Sequence, residues 1–423
     1  MIEADLLIHS AAQVVTCASD VPKRGEAMQD VGLIADGAVG IRDGRILTIG
    51  SSDEVRERVT AVQTIDATGK VIIPGFVDPH THVVYAGDRV DEFEQRIRGT
   101  SYMEIMAAGG GIVSTMRATR QASVEELVAA TLPRLHAMLQ LGTTTAEVKT
   151  GYGLDLASEL RMLEAIAALD LAQPIDLIPT FMPAHAVPPE FNGRSDAYVD
   201  WVVDEMIPAA AEWYKESHFV RNGRSLFCDV FCEQNAFDLA QSRRVLEAGL
   251  AHGMPAKIHA DEFTSLGGVG LAVDLEAVSV DHLDVTVPSD RELLANSDIV
   301  GVILPAVNFN LGSHDFANAR ALIDAGAALA LSTDINPGSA PCPSMPLVLA
   351  IASRYQRLLP AECLNAATIN AAYAVGLGSE VGSLEVGKRA DLLLLDTADY
   401  RQVAYQLGGN LVEMVVKNGR IIR

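Results

Sequence analysis

The chain has 423 residues, 49% of them hydrophobic, and a formal net charge of −23. Such an acidic surface repels phosphate backbones and anionic membranes, so we expect neither nucleic-acid binding nor membrane attachment. Five scattered cysteines argue against a disulfide framework. The first residues contain no basic region and no cleavable apolar stretch, and no apolar run reaches membrane-spanning length, so we expect a cytoplasmic protein.

Both ends of the chain carry strand-like patterns. The first seventy residues include ADLLIHSAAQVV and VGLIADGAVGIRDGRILTIG, and the last forty include ADLLLLD and LVEMVVKNGRIIR. Asp43-Gly44 and Asn418-Gly419 are dipeptides typical of tight hairpin turns. Because a lone hairpin is marginal in water, we expect residues 1–73 and 386–423 to combine into one small β-sandwich domain.

Residues 74–385 are predicted to form a catalytic (β/α)8 barrel. Eight apolar runs of strand length alternate with amphipathic helical stretches such as VEELVAATLPRLHAMLQLG and ASELRMLEAIAALD. The runs are GFVDPH near residue 75, TTTAEVK at 143, IDLIPTFMPAH at 175, LFCDVFC at 226, PAKIHA at 255, AVSVDHL at 277, IVGVILP at 299 and ALALSTD at 328. The predicted fold class is therefore α/β, a TIM-type barrel plus a small β-sandwich built from both termini.

Polar residues suited to metal and proton chemistry follow five of the predicted strands. In chain order they are His80, His82, His185, His259, Glu262, Asp281, His282 and Asp334. The carboxyl ends of all strands in such a barrel meet at one rim, where reactive residues gather. We therefore expect these side chains to converge on one site.

Four of these residues have the chemistry of metal ligands. His80 and His82 are alternate residues of an extended segment and point the same way, while His259 and Asp334 would complete the set from opposite sides of the barrel. Three imidazoles and one carboxylate suit Zn²⁺ or iron, with one position left open for water. Alone, each has a structural explanation, and Asp334 could simply cap a helix. Their coincidence at one rim favours a metal centre.

Two segments resemble the amidohydrolase superfamily of metal-dependent hydrolases. PGFVDPHTH at residues 74–82 resembles its metal-binding opening, and SLEVGKRADLLLLD is similar to its return into the small β-domain. Many binuclear members carry a modified lysine at the end of the fourth strand. Here that strand ends in Cys232-Glu233-Gln234, so the comparison predicts one metal ion per subunit.

Longer segments resemble one family within it, the imidazolonepropionases. They run in order from residue 80 to 346 and are HTHVVYAGDRVDEFEQRIRGTSYMEIMAAGGGI, EVKTGYGLD, MPAHAVPPEF, DVFCEQNAFD, KIHADEFTSLGG, SVDHLD, LPAVNFNLG and STDINPGSAPCPSMP. Small departures at VVY after His82 and APC after Ser339 touch no assigned ligand. The resemblance implies a homodimeric hydrolase that uses metal-activated water to open 4-imidazolone-5-propanoate, giving N-formimidoyl-L-glutamate in histidine degradation.

The resemblance also implies roles for individual residues. Glu262, His282 and Asp334 are expected to move protons, and the sequence does not rank them as the general base. Arg89 is expected to bind the propanoate carboxylate through its planar fork, although residue types alone favour a surface arginine beside acidic neighbours. The further expected substrate-binding residues are Tyr102, Tyr152, His185, Glu262, Asn336, Gly338 and Ser339.

Three other functions stay open at this point. A guanine-type or cytosine-type aminohydrolase would release ammonia from its ring and would not need an arginine for a carboxylate. A non-catalytic metal- or ligand-binding protein on the same scaffold could dispense with Glu262 and His282, yet both are present. A structural protein would not require polar residues clustered at strand ends.

Overall fold

The computed structural model describes residues 1–100, 104–105 and 109–423. Its strands are β1 Ile2–Val15, β2 Leu33–Arg42, β3 Arg45–Ser51, β4 Val59–Asp66, β5 Val71–Pro74, β6 Phe76–Asp78, β7 Thr143–Lys149, β8 Asp176–Ala184, β9 Phe227–Cys232, β10 Lys257–Ala260, β11 Ser279–His282, β12 Val300–Ile303, β13 Ala328–Leu331, β14 Leu392–Leu395, β15 Val412–Lys417 and β16 Arg420–Ile421.

The α-helices of the described residues lie mostly between the barrel strands. They are Ser52–Arg58, Val90–Ile97, Ile112–Gln121, Val124–Gln140, Leu156–Ala172, Ser195–Trp201, Ile207–Glu216, His218–Arg221, Leu239–Ala251, Gly268–Asp274, Pro288–Ala295, Pro305–Leu311, Ala319–Ala325, Met345–Tyr355, Pro360–Ala366, Ile369–Ala374 and Gln402–Tyr405. Within the described residues, no helix combines the length and apolar character that crossing a membrane requires.

Strands β6 to β13 form one parallel sheet in chain order. They correspond one for one to the eight predicted runs, and their residues are almost all buried on both faces, as helices around a parallel sheet require. The helix Val124–Gln140 begins with a capping box in which Ser123 and Glu126 bond each other's backbone N–H. The predicted (β/α)8 fold class is confirmed.

The first and last barrel strands meet through the side chain of Asp78. Its carboxylate accepts hydrogen bonds from the backbone N–H of Thr333 (3.0 Å), from the Thr333 hydroxyl (2.6 Å) and from the Ser332 hydroxyl. Just beyond, the Asp334 N–H donates to the carbonyl of His80 at 3.1 Å. The chain segments that carry His80 and Asp334 are therefore fixed side by side.

The remaining eight strands form a second sheet from both ends of the chain. Its order is β16-β15-β14-β5-β1-β2-β3, and β4 also pairs with β1. It encloses an apolar core of its own, separate from that of the barrel. Both predicted hairpin turns are confirmed, because Asp43-Gly44 (φ 52° and 76°) and Asn418-Gly419 (φ 48° and 73°) adopt the paired positive φ values of a type I′ turn.

Gly142 lies where the barrel touches the second sheet, directly before β7. Its φ is +97°, and a Cβ there would lie 2.6 Å from Cδ1 of Leu393 and 3.0 Å from Cδ2 of Phe76. We predict that Gly142→Ala lowers the free energy of unfolding by about 2–5 kcal/mol, from backbone strain plus overpacking. Chemical denaturation measures this loss. Gly69→Ala is the matched control, since Gly69 has φ +77° but nothing within 4 Å, and should cost only about 1–2 kcal/mol. Equal losses would contradict the packing argument.

Candidate metal centre

The structure brings the four predicted ligands together at the carboxyl ends of the barrel strands. Nε2 of His82 lies 3.3 Å from Nε2 of His259 and 3.9 Å from Oδ1 of Asp334, and Nε2 of His80 lies 3.6 Å from the same oxygen. All four side chains are buried. Three imidazole nitrogens and one carboxylate oxygen thus surround a single small volume.

The chemistry of these atoms fits a metal ion. Within the described residues, Nε2 of His80 and Oδ1 of Asp334 are buried without a hydrogen-bond partner, which is costly in a protein interior. Burial holds the pKa of His80 and of His82 well below the ordinary value, and it raises the pKa of Asp334 to about 8. Neutral imidazoles, together with a carboxyl group whose ionised form lacks a compensating charge, form a donor set that a divalent cation satisfies.

Two further carboxylates orient two of the histidines. Oδ2 of Asp281 lies 2.7 Å from Nδ1 of His80, and Oδ1 of Asp229 lies 3.2 Å from Nδ1 of His259. A carboxylate at Nδ1 fixes the proton there and leaves the Nε2 lone pair for a metal. His82 is held differently, by stacking on His185 with ring centroids 4.6 Å apart.

Two candidate proton carriers lie beside the ligands. Nε2 of His282 is 3.7 Å from Oε2 of Glu262, and a ring nitrogen of His282 lies within 4.8 Å of the ligand atoms of His80 and Asp334. Burial raises the pKa of Glu262 well above its ordinary value, and the charge of Asp334 adds to this. Burial likewise lowers the pKa of His282. The pair therefore has a buried acid and a neutral base at short range.

Arg89 lies at the rim of the same site. Its side chain is only 9% exposed, its Nε donates to the Thr115 hydroxyl at 3.0 Å, and a Cβ on Gly338 would overlap its Nη1. This burial differs from the surface arginine that residue types alone favoured. Burial lowers the pKa of His185 to about 3, and His259 and Arg89 add to this shift.

The other expected substrate-binding residues fall into three groups. Tyr152 is buried with its ring 5.4 Å from that of His185, so both face the ligand histidines. Asn336 uses its side chain inside the loop after β13, where Nδ2 donates to the carbonyl of Asp334 and to the Ser339 hydroxyl, and Oδ1 accepts from the N–H groups of Gly338 and Ser339. Tyr102 lies outside the described residues.

Several charged residues of the site had no role in the sequence interpretation. Glu147, Lys149, Asp229 and Lys257 are fully buried on the barrel strands, and Glu233 accepts hydrogen bonds from the N–H groups of Phe263 (3.0 Å) and Thr264 (3.1 Å), beside Glu262. A signal was available, because each charge on a strand interrupts an apolar run and must find a partner when buried. Their partners could not be read from the sequence.

Comparison with known proteins gives two kinds of match. The sequence profile of the amidohydrolase family matches residues 71–422. The imidazolonepropionase of Chloroflexus aggregans is 59% identical over 99% of this chain and 98% of its own, and that of Herpetosiphon aurantiacus is 52% identical over 100% and 98%. In fold, the chain is similar to a zinc-bound adenosine deaminase from Xanthomonas campestris (TM-score 0.71, 20% identity, 99% of this chain and 93% of that one). It is also similar to Escherichia coli guanine deaminase (TM-score 0.69, 16% identity, 99% and 98%).

We predict that His82→Ala lowers the metal content of the purified protein by roughly tenfold or more, because the variant loses a direct ligand. Elemental analysis after dialysis measures the content, with one ion per chain expected in the unaltered protein. His136→Ala is the control, because His136 is exposed on the helix Val124–Gln140. Equal metal content in both variants would refute the assigned site.

Proposed function

Because the chain belongs to the amidohydrolase family, and within it to the imidazolonepropionases, we propose that it hydrolyses the cyclic amide C–N bond of 4-imidazolone-5-propanoate to N-formimidoyl-L-glutamate, in histidine degradation. The observation that carries the proposal is an arginine with a side chain only 9% exposed at the rim of a three-histidine, one-carboxylate cluster. The chain is also 59% identical over nearly its whole length to a protein of that name. A cyclic amide with a carboxylate tail needs the metal-binding cluster for hydrolysis of the amide and the arginine for binding of the carboxylate.

The reaction adds the hydroxyl of water to the ring carbonyl carbon and a proton to the departing ring nitrogen. A metal ion held by His80, His82, His259 and Asp334 would polarise the carbonyl and make the attacking water more acidic. In one assignment, Glu262 accepts the water proton at its carboxylate and returns it to the leaving nitrogen, and burial raises its pKa above the ordinary value of a glutamate.

Other assignments of the proton steps fit the same geometry. His282, 3.7 Å from Glu262, can relay a proton or donate a hydrogen bond to the carbonyl oxygen as it gains charge. Asp334 can share the transfer to the leaving nitrogen. The order of Glu262, His282 and Asp334 as general base stays open, as it was from the sequence.

Substrate binding is assigned to the groups around this cluster. Arg89 binds the propanoate carboxylate through its planar fork, whose Nε donates to Thr115 and whose Nη1 lies 3.9 Å from Oε2 of Glu92. His185 and Tyr152 contact the ring or the tail, and Gly338 and Ser339 present polar groups of the loop that follows β13. Asn336 stabilises the conformation of that loop through the hydrogen bonds of its side chain. A role for Tyr102 stays a prediction from the resemblance.

The ligand set is compatible with more than one metal ion. Zn²⁺ and iron both accept three imidazoles and one carboxylate, so the ligand set permits either. Elemental analysis of protein purified without added metal distinguishes the two. The homodimer and the cytoplasmic location expected from the sequence stay predictions.

We predict that metal-loaded protein converts freshly prepared imidazolone propanoate to formimidoylglutamate, detected by mass spectrometry. A chelator should abolish the product, and added metal should restore it, since the reaction needs the cation. Guanine and cytosine serve as alternative substrates. Release of ammonia from either one, with no formimidoylglutamate from the imidazolone, would replace this proposal by an aminohydrolase.

Arg89→Met should lower kcat/KM for imidazolone propanoate by roughly 10- to 100-fold, because charge-assisted hydrogen bonds contribute about 1.5–3 kcal/mol. The effect should lie mainly in KM and should vanish for an analogue that lacks the carboxylate. Arg98→Met is the control, since the Arg98 side chain is 75% exposed and its ion pair among the described residues is with Glu94. Unchanged kinetics in Arg89→Met would remove the residue from the substrate site.

A further inference from the structure

Five fully buried charged residues lie inside the barrel next to the metal ligands. They are Glu147, Lys149, Asp229, Lys257 and Asp281. Nζ of Lys149 is 2.8 Å from Oε1 of Glu147, 2.7 Å from Oδ2 of Asp229 and 3.5 Å from Oδ2 of Asp281. Nζ of Lys257 instead contacts Oε2 of Glu147 at 2.6 Å. Among the described residues, Lys149 is thus the cation that contacts both Asp229 and Asp281.

These two aspartates are the ones that hold the ligand histidines. Both carboxylate oxygens of Asp229 lie near Nδ1 of His259, Oδ1 at 3.2 Å and Oδ2 at 3.1 Å, and Oδ2 also contacts Lys149. Likewise, Oδ2 of Asp281 contacts both Nδ1 of His80 and the ammonium. Two carboxylates this close together inside a protein repel each other unless a positive charge lies between them. The Lys149 ammonium supplies that charge and joins the supports of two histidines.

Asp229, His259 and Asp281 form a possible cation site, and the Lys149 ammonium occupies the place of the cation. Ligand atoms of Asp229, His259 and Asp281 lie within 4.8 Å of one another, a grouping that can bind a metal. The Lys149 ammonium already contacts both of its carboxylates. Burial opposes the charge of Lys149, but Asp229, Glu147 and Asp281 outweigh it and raise the pKa of the lysine above its ordinary value.

We propose that Lys149 is a positioning residue of the metal centre. Its ammonium fixes Asp229 and Asp281, and these carboxylates hold His259 and His80 with Nε2 directed at the metal. The inference rests on the metal centre proposed above and does not depend on the identity of the substrate.

The test is the Zn²⁺ affinity of full-length Lys149→Met, measured by competition with a chromophoric chelator. Loss of an outer support should weaken binding about 10- to 100-fold. Removal of a nearby positive charge would by itself strengthen cation binding, so the sign of the change separates positioning from simple electrostatics. Unchanged or tighter binding overturns the proposal.

Lys417→Met is the matched control. Lys417 is also buried, with 2% of its side chain exposed, and its Nζ lies 2.6 Å from a carboxylate oxygen of Asp176 and 2.6 Å from one of Asp391, far along the chain from the metal ligands. Its removal tests for general destabilisation. Zn²⁺ affinity should stay as in the unaltered protein, and an equal loss in both variants overturns the proposal.

The visible absorption spectrum of the Co²⁺-substituted proteins reports ligand geometry directly. It should change in Lys149→Met and should match the unaltered protein in Lys417→Met. If Lys149→Met does not fold, the variant Lys149→Met/Glu147→Gln keeps the net charge of the cluster and leaves both aspartates in place. It should show the same weakened affinity, and unaltered Zn²⁺ affinity in it overturns the proposal. These measurements need no turnover, so failure of the substrate assay leaves them intact.

Discussion

Three carboxylates and two ammonium groups lie inside a barrel where water cannot solvate them, so each must lie within reach of an opposite charge. This constraint determines the architecture of the site. Glu147 and Lys149 are two residues apart on β7, and Lys257 and His259 are two apart on β10, so each pair points to the barrel interior. Asp281 and Asp229 connect this network of charges to His80 and His259. A change in strand register would separate the partners and leave buried charges unpaired, so the site and the fold depend on the same contacts.

The closure of the sheet contributes the other half of the site. Asp78 is buried between the first and last strands. Burial raises its pKa to about 6, because the hydrogen bonds from Ser332 and Thr333 offset only part of the cost of burying its charge. His80 follows Asp78 by two residues, and Asp334 directly follows Thr333. These two predicted ligands lie 254 positions apart in the sequence, and backbone and side-chain hydrogen bonds that are independent of any metal bring them together.

Local patterns and the resemblance were enough to predict much of this. The two hairpin turns follow from dipeptides that accept positive φ, and the eight barrel strands follow from apolar runs of the right length. The approach of His80, His82, His259 and Asp334 followed from their placement at strand ends, since a parallel barrel brings those ends together. The metal-ligand roles themselves stay predictions.

What the sequence did not give were contacts between strands. Lys149 lies in the segment EVKTGYGLD and Asp229 in the predicted strand LFCDVFC. Their pairing, however, depends on how β7, β8 and β9 align with one another, and no local pattern specifies that register. The burial of Arg89 depends in the same way on the loop around Gly338. Such contacts depend on tertiary geometry, so composition and spacing leave them open.

The charge network also gives a physical reason for the single metal ion that the sequence predicted. That prediction rested on the lack of a lysine where β9 ends. Inside the barrel, however, the grouping of Asp229, His259 and Asp281 already contacts the ammonium of Lys149, and a second cation there would meet a like charge at short range. The grouping around His80, His82, His259 and Asp334 has no such internal cation among the described residues. A metal ion therefore gains most by binding at the rim.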